Sequence, residues 1–188
     1  MLGVGGAVTL AAWSDSVFVN GDFETGSFNV QGSVNAGTSW FEFDTAPGGT
    51  LAFPAGALNI TPGDTVYAAV SLRVDPTRND YDATIGLEGA TLTNGSGTLG
   101  TNLRYAAKTG VTAANCTSAS FAGTGTTLVA ANTALSTGSG VTTFELEDDS
   151  TAVPVCFAVT LPSNAPSTAQ GDTSVAVWKF AASSTDPD

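Results

Sequence analysis

Apolar residues recur along much of this chain at every second position, in short runs parted by Gly, Pro, Asn and Asp. That period belongs to strands, because successive side chains of an extended backbone point to opposite faces, whereas a helix repeats near 3.6 residues. The clearest run is Thr65 to Val74. Val66, Ala68, Val70, Leu72 and Val74 fall on one face, and Tyr67, Ala69, Ser71 and Arg73 on the other. The pattern predicts a long strand, opened by a turn at Pro62-Gly63-Asp64 and ended by Asp75-Pro76. Tyr81 to Leu87 alternates next, with Ala83, Ile85 and Leu87 inward. Ahead of these, Phe28 and Val30 share a face. Trp40 to Phe43 reads as a short strand with Phe41 and Phe43 on one side, followed by a turn at Pro47-Gly48-Gly49.

Two further strands are expected near the end. In Ala152 to Leu161, Val153, Val155, Phe157, Val159 and Leu161 align while Cys156 points away. In Thr173 to Ala182, Ala176, Trp178 and Phe180 oppose Val175, Val177 and Lys179. Both fit central strands of two sheets, and Pro154, lacking an N–H, fits only near a strand's start or edge. Short strands with turn signals at this spacing predict an all-β fold, an antiparallel β-sandwich in one domain.

Residues 89–144 interrupt the pattern. They hold no acid, only Arg104 and Lys108 as charges, and much Ala, Thr, Gly and Ser. They read as a Thr/Ala/Gly-rich insertion over one end of the sandwich, tied down by Cys116. Leu103 to Lys108 fits either a strand or a helical turn, and Phe121, Leu128, Val129 and Leu135 give the segment something to bury.

The start of the chain differs again. Leu2 to Ala12 is an apolar run of small residues, too short to span a bilayer. Met1 precedes it without a basic stretch, as in a leader trimmed at its front or a late start. The run reads as the tail of a secretory signal, with Thr9 and Ala11 as the small residues of a cleavage site between Ala11 and Ala12. The expected organisation is residues 1–11 as signal remnant and 12–188 as one sandwich domain. After the cleavage site, Val17-Phe18-Val19 is strand-like with no hairpin partner ahead of it. A strand at a free end either closes its own sheet or joins another molecule's sheet. Its residues leave both open.

Composition narrows the function classes. Seventeen acids against five bases give a formal charge of −12. No basic patch for nucleic acid or an anionic membrane surface is available from so few cations. Cys116 and Cys156 form an even pair suited to an oxidising compartment, and a bridge between them would be worth about 4 kcal/mol in the chain-entropy picture. There is no histidine. Ser-His-Asp and Cys-His nucleophilic systems are therefore excluded, as are His-Glu-x-x-His zinc sites. Gly95 to Gly100 matches a dinucleotide fingerprint only literally, since no helix pattern or downstream acid follows. Glu145, Glu147, Asp148 and Asp149 form the densest acidic run. Its bland reading is a solvated loop, and its sharper one a weak Ca²⁺ site without EF-hand spacing. Asn59-Ile60-Thr61, Asn94-Gly95-Ser96 and Asn115-Cys116-Thr117 match the glycosylation triplet, a pattern that Thr-rich chains produce by chance. No cofactor and no enzymatic activity are expected.

Several motifs resemble one family. Gly5-Gly6, Ala12-Trp13-Ser14-Asp15 and Phe23-Glu24-Thr25-Gly26-Ser27-Phe28-Asn29-Val30 are similar to the signature of the TasA/camelysin family, extracellular matrix fibre proteins released by a dedicated SipW-type signal peptidase. Leu58-Asn59-Ile60-Thr61-Pro62-Gly63-Asp64 resembles the family's turn before a long strand, and Val175 to Ala182 its last core strand. The match covers residues 1–90 and 172–183. The resemblance implies a jelly roll, secretion into the biofilm matrix, and copies of itself as partners in a filament. It further implies that residues 12–22 act as a donor strand anchored by Trp13, Val17, Phe18 and Val19. The cysteine pair and residues 89–144 depart from the family, and a camelysin-like protease activity has no ligands here. The competing expectation is a secreted monomeric sandwich that binds carbohydrate or a surface partner through Trp13, Trp40 or Trp178.

Overall fold

The computed structural model describes residues 26–54, 59–94 and 98–186. Its strands are β1 (Phe28–Ser33), β2 (Thr65–Asn79), β3 (Asp82–Leu87), β4 (Thr91–Asn94), β5 (Arg104–Thr109), β6 (Thr126–Ala134), β7 (Thr143–Leu146), β8 (Val153–Thr160), β9 (Val175–Val177) and β10 (Phe180–Thr185). Two short helices, α1 (Leu99–Asn102) and α2 (Ser118–Gly123), accompany them. The architecture is an all-β sandwich of antiparallel sheets.

One layer has five strands in the order β1-β2-β8-β5-β6. The facing layer is narrower. β10 pairs with β3 from Phe180↔Leu87 onward, and β9 pairs with β4 through Val177↔Thr91. Between these ladders the Glu88 N–H donates to the Lys179 carbonyl at 2.8 Å. β3–β4 and β9–β10 are thus two bent strands running side by side, with β7 on the far flank of β3. Among the described residues, three strands face five.

The core between the layers comes from the alternation. Val70, Leu72 and Val74 of β2 meet Ala83, Ile85 and Leu87 of β3, together with Val155, Phe157 and Val159 of β8. Phe157 is fully buried, 5.1 Å by ring centroid from Trp178 and 6.3 Å from Tyr105. Gly63 supplies the left-handed residue (φ 98°) in the expected turn before β2. Asp64 closes that turn by accepting from the Thr61 N–H and hydroxyl.

Four expectations need correction, and one left open is decided. β2 does not end at Asp75-Pro76 but runs to Asn79. It can do so because Asp75, only 5% exposed, accepts from the Thr77 N–H and hydroxyl and from Asn29, which satisfies its buried carboxylate. Trp40 to Phe43 forms no strand: its backbone joins the sheet by the single bridge Gly32↔Phe41, while its side chains meet the sheet at Asn29, Arg73 and Arg78. Residues 89–144 are mostly not an insertion: β5 and β6 are full members of the large sheet, β5 beside β8. Their small residues pack flat, so the alternation is weak in sequence although Tyr105, Ala107, Leu128 and Val129 are buried. Leu103 to Lys108 resolves as strand, with the helical turn α1 before it. Finally, Thr173 to Ala182 is not one central strand. It is the kinked pair β9–β10, at the rim of the narrow layer.

Only residues 110–125 lie outside the sheets as a cover. Val111, Cys116 and Phe121 sit on the outer face of the large sheet against Tyr67, Ala69 and Cys156. Cys116 and Cys156 are bonded, with Cα atoms 5.5 Å apart. Pro154 is the second residue of β8, as its missing N–H requires, and its carbonyl accepts from the Gly110 N–H.

Candidate functional site

A sandwich of five strands against three leaves part of the wide sheet uncovered. Here that gap is a cleft of about 790 Å³, bounded by β1 on one side and β9–β10 on the other. Its floor is apolar: Val66, Val70 and Leu72 of β2 and Val159 of β8, with Ile85 and Phe157 deeper. These side chains are there because strict alternation along β2 and β8 aims them inward whether or not a strand lies opposite.

Both flanks of the cleft are sheet edges. β9–β10 pairs only with β3–β4 among the described residues, so the rim from Val175 to Thr185 carries backbone groups with no ladder partner there. β1 pairs with β2, and its outer rim makes the one bridge to Phe41. Unpaired edges above an apolar floor bind an extended chain well, since one strand satisfies both the backbone groups and the apolar surface.

Residues 42–54 form the remaining wall. Residues 41–48 are exposed, while Leu51 and Phe53 are half-buried against the main core. Their sequence signal was present, as aromatic and aliphatic residues around Pro47-Gly48-Gly49, but it fits no regular period. Periodicity therefore missed this wall.

The root of the N-terminal arm is fixed at one end of the sandwich. Asp80, in the β2–β3 turn, accepts from the Ser27 N–H at 2.6 Å and from its hydroxyl at 2.8 Å. These bonds, the backbone one foremost, hold the Asp80 carboxyl below its ordinary range. Ser27 is thus held at the β2–β3 turn, the end of the sandwich where Asp82 pairs with Thr185 of β10.

The expected anchors Trp13, Val17, Phe18 and Val19, and the cleavage pair Ala11 and Ala12, lie outside the described residues. The two remaining tryptophans are placed differently. Trp40 is covered by the Arg73 guanidinium 4.2 Å from its ring centroid, and Trp178 packs on Phe157 and Tyr105. The Trp178 indole N–H is buried without a hydrogen-bond partner among the described residues. The Tyr105 hydroxyl donates to the Thr137 carbonyl, and burial pushes its pKa up.

The acidic run is split by the strand it belongs to. Glu145 lies in β7 and is exposed, Glu147 follows it, and Asp148 donates its N–H to Asp82 Oδ1. Asp82, then the other nearby acids, raise the Glu147 pKa by repulsion. Among the described residues no three acidic or sulfur ligands are placed to share a metal ion, and no helix is long and apolar enough to cross a membrane. Asp149 instead accepts from the Thr151 N–H and closes a tight turn.

No protein-family model matches the chain, and a search of characterised proteins finds no match.

Proposed function

We propose that this chain is the structural subunit of an extracellular filament, assembled head to tail by donor-strand complementation. In this reading residues 12–22 of one molecule fill the cleft of the next, beside β9–β10, as the fourth strand of the narrow layer. The observation that carries it is the incomplete second layer: three strands over five, with an apolar slot of about 790 Å³ and an open rim where a fourth belongs. The rim Val175–Thr185 is eleven residues long, the same as segment 12–22. Trp13, Val17 and Val19 share one face of that segment at period two, so they are the residues for the floor. Phe18 falls on the other face.

The jelly-roll topology, the export signal and the matrix location belong to the same proposal and rest on the family resemblance. A contact between an arm and a distant slot on an identical molecule does not close on itself, and contacts of that kind propagate as fibres. The monomeric carbohydrate-binder reading finds less support, because Trp178 packs into the core and the Arg73 guanidinium occupies one face of Trp40.

Deletion of residues 12–22 tests the proposal. The intact protein should form filaments by electron microscopy, and the deletion variant should stay monomeric by light scattering with its far-ultraviolet dichroism kept. Filaments from the deletion variant, or none from the intact protein at any concentration, overturn it.

A further inference from the structure

The slot is not bare in the isolated molecule: the strap of residues 41–54 leans over it, and the way it is held is one-sided. Its side chains serve the apolar floor, since Leu51 and Phe53 pack on the core and the Phe43 ring sits on Gly32, 3.0 Å from where a Cβ would lie there. Its backbone serves neither rim. The Phe41 N–H and carbonyl exchange bonds with Gly32 at 3.0 and 2.8 Å, and the ladder stops there. Phe43 turns the chain away with φ 45°, a left-handed conformation costly for a bulky aromatic residue. Beyond it the only bonds between strap backbone groups are local, Gly48 N–H to Thr45 and Phe53 N–H to Leu51.

Resting on the donor-strand reading, we infer that this strap is a placeholder on the β1 side of the slot, displaced when a neighbour's strand arrives. Three observations converge. An incoming strand supplies side chains and a full ladder, where the strap supplies side chains and one bridge. The strap is exposed over residues 41–48, with few buried contacts to break, as segments that open at low cost are. Like charge adds to this: the strap carries Glu42 and Asp44 and segment 12–22 carries Asp15 and Asp22, with no base in either, and of these acids Glu42 is balanced in part by Arg78 at 3.8 Å and by a bond from Asn29. The strap's release sets the rate at which the slot becomes available, so the free subunit is kept from exposing its apolar floor before a partner is present.

Two variants of the full chain test this, read by the elongation rate in light scattering with filaments counted by electron microscopy. Phe41→Ala/Phe43→Ala removes the strap's aromatic holds. The expected result is elongation several-fold faster than wild type, whereas a strap that stays as a permanent wall would make it equal or slower, overturning the inference. Gln31→Cys/Glu42→Cys places a crosslink one residue along from the Gly32↔Phe41 bridge, a cross-strand position suited to a disulfide. The oxidised form, checked by mass, should elongate at least tenfold slower and recover in reductant, with wild type in the same reductant as control. Normal elongation of the crosslinked form overturns the placeholder while leaving the donor-strand reading intact. If the wild type itself never elongates, the donor-strand reading falls and the placeholder with it.

Discussion

The two flanks of this sandwich solve the same problem in opposite ways. Around β8 and the adjoining start of β2 the wide sheet is covered on both faces. The core lies inside, and residues 110–125 lie outside, stapled through Cys116–Cys156. On the β1–β2 flank the inner face meets a cleft and a loosely held strap. Both flanks are built from strands of equal quality, and β2 is the longest of those described. The difference therefore lies in what covers them. A protein of this size has ample residues to close the second layer. Leaving one flank open while the other is covalently locked concentrates stability away from the slot.

The largest effect expected from that contrast is on the closed flank. Cys116→Ser/Cys156→Ser should lower unfolding free energy by about 4 kcal/mol, the value for a loop of this length, measured by urea denaturation. An effect under about 1 kcal/mol would mean that the outer cover holds without its staple. Phe157→Ala should cost about 3–4 kcal/mol, since the ring is fully buried among Tyr105, Trp178 and Phe180 and leaves a cavity. Phe53→Ala removes the same side chain from the open flank and should cost only about 1 kcal/mol, because one side of the ring is already open. Equal losses for the two phenylalanines would erase the distinction between the flanks.

A smaller effect separates them by pH. The carboxyls of Asp64, Asp75, Asp80 and Asp149 are held below their ordinary range, chiefly by bonds from Thr61, Thr77, Ser27 and Thr151 respectively. Groups with lowered folded-state pKa stabilise above the unfolded range near pH 4 and lose that contribution as pH falls through the folded values. Glu147 has the opposite sign. Repulsion from Asp82 and its neighbours raises its pKa, so protonation on descending toward pH 4 relieves the folded state. Stability should rise slightly as pH falls toward the carboxylate range and decline below pH 4. Glu147→Gln should flatten the rise and spare the decline, as followed by thermal melts across pH. A monotonic profile unchanged in Glu147→Gln would show that these acids do not feel one another.

Much of the fold was legible because β2, β3 and β8 carry large residues on one face and small or polar ones on the other. Ala83, Ile85 and Leu87 are buried as their spacing required, and Cys116 found Cys156. β5 and β6 were hidden for a physical reason. Ala106, Ala107, Thr126 and Thr127 give little contrast between faces, and β5, packed on both sides, shows no clean alternation. Asp75-Pro76 looked like a stop because Asp and Pro are turn residues, and only the fold supplied Thr77 and Asn29 as partners for the buried carboxylate. The candidate slot was invisible as a place, because it is defined by the space between β1 and β9–β10. The residues did show a strand-like segment without a hairpin partner at the start, while residues 44–54 carried no period to read.

β9–β10 follows every other strand along the chain, yet it forms one wall of the slot. A polypeptide that emerges from its N-terminus therefore lays down the apolar floor on β2 early and acquires the slot's second wall only when this last rim has docked on β3–β4.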